Sequence, residues 1–181
     1  MQKIQLSNKL RTKITFPNFC LFMIALISLA KIIPYRIYYN HTTSMPLGIY
    51  WVDSHSTQPR LNELVMVCLS NGVYRQIATS RHYLVSSGQC NNLEPMLKKI
   101  VGVTGDYISV IQAGVLVNGS LVPNSAIKSH DQKSRKLPSI LKEGRIPQDY
   151  YLVMGESEGS FDSRYFGLIP ANDVIATAHK F

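Results

Sequence analysis

A long uncharged run near the amino terminus constrains this chain more than any other feature. No charged residue occurs from Ile14 to Ala30, and from Phe19 onward the run is almost wholly apolar. A helix of about 17–25 such residues spans a bilayer, and a flanking lysine such as Lys31 reaches the headgroups with its ammonium group. The sequence therefore predicts one transmembrane anchor over residues 14–36. A tyrosine belt at its outer end is predicted from Tyr35, Tyr38 and Tyr39.

The positive charge is concentrated before this run. Of the formal net charge of +8, residues 1–13 supply four cations and no acid: Lys3, Lys9, Arg11 and Lys13. The rest carries +4 with no basic helix and no row of aromatics, which argues against nucleic acid as a partner. Basic flanks stay cytoplasmic. We therefore predict a cytoplasmic tail (1–13), the anchor (14–36) and an exported periplasmic domain (37–181) of a single-pass bacterial cytoplasmic (inner) membrane protein. A cleaved secretory signal is the alternative, although no clear small-X-small site precedes Lys31.

The chain has three cysteines, two of them in the predicted exported domain. Cys20 lies in the apolar run and is interpreted as a small apolar residue there. An oxidising compartment would allow Cys68 and Cys90 to pair. A disulfide closing a loop of 21 intervening residues contributes about 3 kcal/mol on the chain-entropy model. Two separate buried thiols are the alternative.

After residue 60 the sequence consists of short apolar or alternating runs separated by turn residues. The predicted strands are Leu64–Leu69, Met96–Val103, Tyr107–Ile111, Val115–Val122, Tyr150–Met154 and Val174–Ala178. A brief helix is predicted at Val73–Arg81, a hairpin turn at Asn118-Gly119, and a long surface excursion at Ser125–Gly144. Short strands at this spacing predict a mainly β, antiparallel domain.

Two residues are chemically unusual for their surroundings. Ser44 stands directly before Met45-Pro46, where proline fixes the backbone and holds the hydroxyl on a short, stiff segment. Lys98 interrupts an apolar predicted strand, and a desolvated lysine amine can be neutral and act as a general base. The alternative is a lysine at the sheet edge with its ammonium group in water. Lys99 points to the opposite face of a strand, so only one of the two lysines can face Ser44.

A third stretch, Gly155–Gly167, is rich in glycine, serine and acidic residues. An exposed loop is the simplest interpretation. However, Asp162 and Arg164 can form an ion pair, and the Ser160 hydroxyl could orient a neutral amine.

These stretches together carry a family resemblance. Ser44-Met45-Pro46 resembles the serine box of the type I signal peptidases, Lys98–Asp106 their lysine box, and Ser160–Gly167 their last conserved box. The three occur in the family's order, over about Asn40 to Phe181. The form of the segment from Asn40 to Tyr50 is most similar to the TraF-like branch, the conjugative transfer peptidases that mature pilin precursors.

The resemblance implies a signal-peptidase-like antiparallel β domain after one transmembrane helix. It also implies a membrane-anchored serine endopeptidase that cuts after small residues in exported precursors, above all a conjugative pilin precursor of type IV secretion. Ser44 would be the nucleophile and Lys98, which stands eight positions before Asp106, the general base. Supporting roles fall to Ser160 (lysine orientation), Asp162 and Arg164 (bracing), and Thr42 (second oxyanion donor beside the Ser44 N–H). Hydrolysis and cyclisation of the product both remain open.

Other functions fit parts of the same sequence. A general type I signal peptidase would use the same residues on many substrates, and an inactive anchored subunit of a secretion channel would use none of them. A Ser-His-Asp triad would recruit His41, three residues before Ser44. The cysteines and histidines are too dispersed for a metal site, and no cofactor is expected. The expected partners are a precursor protein and the cytoplasmic membrane.

Overall fold

The computed structural model describes residues 16–32, 35–55, 58–70 and 72–181. The chain divides into two compact units, residues 1–34 and 35–181. In the first unit, helix α1 spans Phe16–Ile32. No helix in the described ranges has both the length and the apolar character needed to cross a membrane. The predicted tail (1–13) and four positions of the predicted anchor (14, 15, 33 and 34) lie outside the described residues, so both assignments stay predictions.

The second unit is built mainly from short strands. In chain order they are β1 Tyr35–Asn40, β2 Gly48–Asp53, β3 Leu64–Val67, β4 Met96–Gly102, β5 Tyr107–Ile111, β6 Gly114–Val117, β7 Ser120–Leu121, β8 Gly144–Arg145, β9 Tyr150–Met154, β10 Ile169–Pro170 and β11 Val174–Lys180. The helices are α2 Gly72–Ser80, α3 Ser163–Phe166 and a 3₁₀ turn at Ala171–Asp173.

Within the described residues these strands form two sheets. Seven strands pair in the order β1-β2-β11-β3-β4-β9-β10, and four in the order β7-β6-β5-β8. All of the pairings are antiparallel. The prediction of a mainly β, antiparallel domain is confirmed.

Several elements occur where the sequence predicted them. β5 and β9 have the predicted bounds, and α2 differs from the predicted helix by one residue at each end. Asn118 and Gly119 have positive φ values of 50° and 80° and connect β6 to β7, which confirms the predicted hairpin turn. β1, β2, β8 and β10 were not predicted.

The amino-terminal edge of this unit overlaps the end of the predicted anchor. β1 begins at Tyr35, within the predicted anchor, and pairs residue by residue with β2. Tyr38 was assigned to the belt at the membrane surface. In the structure it is half-buried and donates a hydrogen bond from its phenol to Glu94 at 3.0 Å, and the belt stays a prediction. No local sequence pattern indicates this contact, because the two residues are 56 positions apart.

β4 lies inside the larger sheet, between β3 and β9. Side chains alternate along a strand, so Lys98 faces the same side as Met96 and Ile100, which belong to the largest apolar cluster. Leu97 faces the other side and packs with Met45 and other apolar residues. The lysine is therefore carried on a strand whose two faces are both buried.

A disulfide joins Cys68 and Cys90, with their Cα atoms 5.2 Å apart. It closes the segment that contains α2, and the Arg75 guanidinium donates to the Cys90 carbonyl at 2.9 Å. Cys20 is free.

Candidate active site

Ser44 lies in a tight turn between β1 and β2, and the fully buried side chain of Asn40 holds this turn together. The Asn40 amide nitrogen donates to three carbonyls of the turn, those of Thr42, Met45 and Pro46, at 3.0, 3.0 and 3.1 Å. These three bonds fix the orientation of the amide and close the backbone around the half-buried serine.

The same amide sets the direction of a short chain of hydroxyl groups. Asn40 Oδ1 accepts from the Thr42 backbone N–H at 3.2 Å and from the Thr42 hydroxyl at 2.9 Å. Thr42 Oγ1 also lies 3.0 Å from Ser44 Oγ. A threonine hydroxyl has one proton, and Thr42 donates it to Asn40, so Thr42 Oγ1 accepts a hydrogen bond from the Ser44 hydroxyl in this arrangement. Thr42 would have to rotate its hydroxyl before it could donate to an oxyanion.

Lys98 is 3% exposed, and its side-chain amine makes no hydrogen bond or ion pair with any other described residue. Burial lowers the pKa of Lys98 to about 8. The Asp162 charge opposes this shift and the Arg164 charge adds to it. With that pKa about one amine in ten is neutral at pH 7, against about one in 2,500 for an ordinary lysine. Lys99, by contrast, is only half-buried.

One cleft of about 500 Å³ contains four of the predicted site residues. Its lining includes Thr42, Ser44, Lys98 and Ser160. Asp162 and Arg164 are fully buried and are not among the residues that line the cleft; Cys68 and Cys90 are also not among them.

The loop that carries Ser160 is attached directly to the Ser44 turn. The Glu156 backbone N–H donates to the Ser44 carbonyl at 2.8 Å. A Cβ atom placed on Gly155 would lie 2.7 Å from the same carbonyl oxygen and closer still to Ser160 Oγ. Glycine is therefore required at position 155 for space, and this close contact brings two of the three sequence boxes together.

Ser160 itself has an unusual environment. Its hydroxyl is shielded from solvent and has no hydrogen-bond partner among the described residues. The predicted orienting bond from Ser160 to the Lys98 amine is not formed in this structure, so that role stays a prediction. Catalytic hydrogen bonds are often long or misaligned without substrate.

Asp162 and Arg164 form a buried ion pair behind the cleft, with both side chains 0% exposed. The guanidinium donates to the carboxylate through Nε and Nη2, both at 2.8 Å. Asp162 also accepts from the Gly155 N–H at 3.0 Å and caps helix α3. The ion pair therefore fixes the glycine that touches the Ser44 turn.

The remaining guanidinium N–H groups hold two loops. Arg164 donates to five carbonyls, those of Asn124, Ala126, Ser157, Glu158 and Ser160, at 3.0–3.3 Å. Burial alone would lower the pKa of Arg164, but the bonds and charge of Asp162 outweigh it, so the pKa is raised. This arginine is permanently charged and fully satisfied.

The histidine alternative has no geometric support. His41 is exposed and makes no hydrogen bond to Ser44 in the described part of the chain. In the same residues no group of three or more histidine, cysteine or acidic side chains could hold a metal ion.

A buried lysine and a serine in one cleft are the arrangement expected of a serine–lysine peptidase, and the comparisons with known proteins agree at the family level. The model of the family described as "Signal peptidase, peptidase S26" matches residues 12–181. The chain belongs to the S26 signal peptidase family. Its relatives place it in the TraF-like branch of that family.

Two of those relatives are named for conjugal or plasmid transfer. The "Probable conjugal transfer protein TraF" of Sinorhizobium fredii is 33% identical over 81% of this chain and 76% of its own length. The "Plasmid transfer protein TraF" of Escherichia coli is 31% identical over 75% of this chain and 77% of its own length. A crystal structure of a signal peptidase I from Enterococcus faecalis covers 66% of this chain and 96% of its own at 16% identity; its TM-score of 0.37 is too low to carry weight.

Sequence reasoning missed three parts of this S26 site. Asn40 was noted only within the box pattern, although an asparagine that closes a turn on the residues after it is a recognisable signal. Gly155 could have been suspected as a glycine at the start of a loop. The Tyr38–Glu94 contact had no signal, because it depends on how β1 and the start of β4 come together.

Proposed function

We propose that this chain is a serine endopeptidase in which Ser44 is the nucleophile and Lys98 the general base. The observation that carries the proposal is the Lys98 amine. It is buried, has no ion-pair partner in the described residues, has its pKa lowered to about 8, and lines the same cleft as Ser44. A stable fold alone does not require such a group, because burying an unpaired lysine opposes folding.

The chemistry follows from these two residues. Neutral Lys98 takes the Ser44 proton as the serine oxygen attacks the scissile carbonyl carbon, and the carbonyl oxygen becomes an oxyanion near the Ser44 N–H. The C–N bond then breaks, and the protonated lysine gives its proton to the leaving amine. The acyl-enzyme that remains is released by water or by an amine of the substrate itself, which would give a circular product.

The substrate class comes from the relatives. Because the TraF proteins are named for conjugal and plasmid transfer, we propose an exported precursor of a conjugation system, most specifically a pilin precursor, cut after small residues. An extended segment with alternate side chains in the cleft fits this mode. The uncharged run near the amino terminus supports anchoring in the cytoplasmic membrane, with the catalytic unit on the periplasmic side.

Two variants and one matched control test the dyad. Full-length protein is assayed on a peptide with alanine one and three positions before the scissile bond. Ser44→Ala and Lys98→Met should lower kcat/KM by at least about 10²–10⁴-fold. Lys99→Met, which removes the neighbouring lysine from the other face of β4, should retain most activity. Cleavage at the wild-type rate by folded Lys98→Met would exclude the proposal.

The same protein in cells separates the related functions. The intact mass of the pilin should change when the gene for this protein is deleted. A mature pilin lighter by one water than the linear cleaved chain would indicate cyclisation. If many exported proteins keep their leaders in the deletion strain, the chain is a general signal peptidase. If the Ser44→Ala variant supports pilin maturation as well as the wild type does, the protein is a structural subunit.

Membrane topology is tested separately. Protease added outside spheroplasts should digest the unit after Tyr39 and spare an epitope at Gln2; the reverse pattern would contradict the proposed orientation.

A further inference from the structure

Three carboxylates line the cleft, and they differ in how their charge is balanced. Asp131 forms an ion pair with Arg135 at 2.7 Å, and Glu158 forms one with Lys128 at 3.1 Å. Glu94 has no cationic partner among the residues that the structure describes. The wall of the cleft formed by β1 and the start of β4 therefore carries an anion that the chain leaves uncompensated.

Among the described residues, one side chain orients this carboxylate through a hydrogen bond. Tyr38, on β1, donates its phenol proton to Glu94 Oε1 at 3.0 Å, and both side chains are half-buried. Burial, with the Glu94 charge beside it, raises the pKa of the Tyr38 phenol. The phenol therefore remains a proton donor, and the carboxylate is oriented without being neutralised.

A carboxylate in this state has capacity to bind something. An ionised carboxylate offers about four acceptor positions, and the phenol occupies one of them. Partial removal from water makes the charge costly unless a cation accompanies it. Lys98 makes no ion pair with Glu94, so the general base does not play this part.

We propose that Glu94, held by Tyr38, is a substrate subsite that binds a cationic group of the precursor: an ammonium or guanidinium group from a lysine or arginine side chain, or a free α-ammonium group. This inference rests on the proposed function, because it assumes that the precursor occupies this cleft. It predicts that the enzyme prefers a positive charge at one substrate position near the scissile bond, in addition to small residues.

Binding by the full-length Ser44→Ala protein tests the subsite without requiring cleavage. The probes are fluorescent, acetylated and amidated peptides with the same alanines as above, in which one lysine is moved through the flanking positions and compared with norleucine. A charge-assisted contact should make the lysine peptide bind about tenfold more tightly at one position. Glu94→Gln should remove that ratio, Glu94→Lys should reverse it in favour of a glutamate peptide, and Tyr38→Phe should reduce it.

The chain supplies a matched control pair outside the cleft. Tyr107 donates to Glu143 at 3.1 Å in an exposed site that resembles the Tyr38–Glu94 contact. Glu143→Gln and Tyr107→Phe should leave the lysine-to-norleucine ratio at its starting value. Further probes with arginine in place of lysine, or with a free amino terminus and no lysine, identify the source of the cation.

Each outcome bears on the inference. Equal binding of lysine and norleucine peptides at every position, no measurable binding of any cationic peptide, or a ratio that survives in Glu94→Gln would overturn it. Cleavage by the wild type without a charge preference would remove this inference and leave the proposed function intact. If cationic peptides bind more tightly but the wild type never cleaves, the proposed function is excluded and the cation-binding subsite is retained.

Discussion

Two buried cations in this protein have opposite environments. Arg164 is 0% exposed, is paired with Asp162 and donates to five carbonyls. Lys98 is 3% exposed, and its side-chain amine has no hydrogen bond or ion pair with another described residue. The pKa of Arg164 is raised, whereas burial lowers that of Lys98 to about 8.

The difference shows that burial alone does not decide the state of a basic side chain. Burial opposes the charge of both groups, and the polar partners determine which effect wins. Where the partners are complete, the cation is fixed and organises the loops. Where they are missing, the amine can lose its proton and becomes available for chemistry. The following predictions test this contrast, beginning with the largest expected effect.

Removing the satisfied cation should have the largest effect on stability. Arg164→Met leaves the Asp162 carboxylate buried without its partner, which typically costs about 3–5 kcal/mol. The urea midpoint of unfolding should fall accordingly. Arg145→Met is the control, because Arg145 is exposed and donates to a single carbonyl, that of Gly105; its effect should stay within about 0.5 kcal/mol. Equal midpoints for Arg164→Met and the wild type would contradict the contrast.

Removing the unsatisfied cation should stabilise the protein, in a way that depends on pH. Below pH 8 the Lys98 amine is protonated in both folded and unfolded states, and the penalty for burying it is fully present. Between about 8 and the ordinary value of 10.5, the unfolded chain binds a proton that the folded chain does not. The free energy of unfolding of the wild type should therefore rise with pH in this window, relative to Lys98→Met, by about 3 kcal/mol in total.

Denaturant unfolding of both proteins from pH 7 to 11 measures this difference, with Lys99→Met as the control that should run parallel to the wild type. The kcat/KM of the wild type should rise with pH through about 8, since it reports the free enzyme's base. A constant difference between wild type and Lys98→Met across the range, or a rate that does not change with pH, would show that Lys98 is not a neutral base.

The smallest effect concerns two buried serines in the same loop region. Ser160 has no partner for its hydroxyl, whereas the Ser163 hydroxyl accepts from the Val153 N–H at 3.0 Å. Ser160→Ala should stabilise the fold by about 1 kcal/mol and Ser163→Ala should destabilise it by about 1–3 kcal/mol. Calorimetric unfolding of the two variants and the wild type measures these changes.

The same Ser160→Ala variant tests the proposed orientation of the lysine. If Ser160 positions Lys98, the variant should lower kcat more than it changes KM and should shift the pH dependence of kcat/KM; an unchanged pH dependence would contradict that role.

The sequence by itself determined the class of the fold and singled out Ser44 and Lys98 as the candidate reacting residues. Short alternating runs predicted the antiparallel domain, and local turn chemistry placed Asn118-Gly119 correctly, because both signals depend on neighbouring residues. The boxes around Ser44 and Lys98 were recognisable because the serine needs a rigid turn and the lysine an apolar strand. The missed strands are short or, as with β1, sit next to an apolar run that favoured a different interpretation.

Only the tertiary structure decided how these parts interact, because the contacts that matter join distant positions. Sequence could not show that Gly155 packs against both the Ser44 carbonyl and the Ser160 side chain. It could not show either that Arg164 hydrogen-bonds both to residues 124–126 and to the loop at 157–160. It also could not show that Tyr38 meets Glu94 across 56 positions. The lowered pKa of Lys98 also depends on tertiary structure, because distant residues bury the amine and none of them forms an ion pair with it.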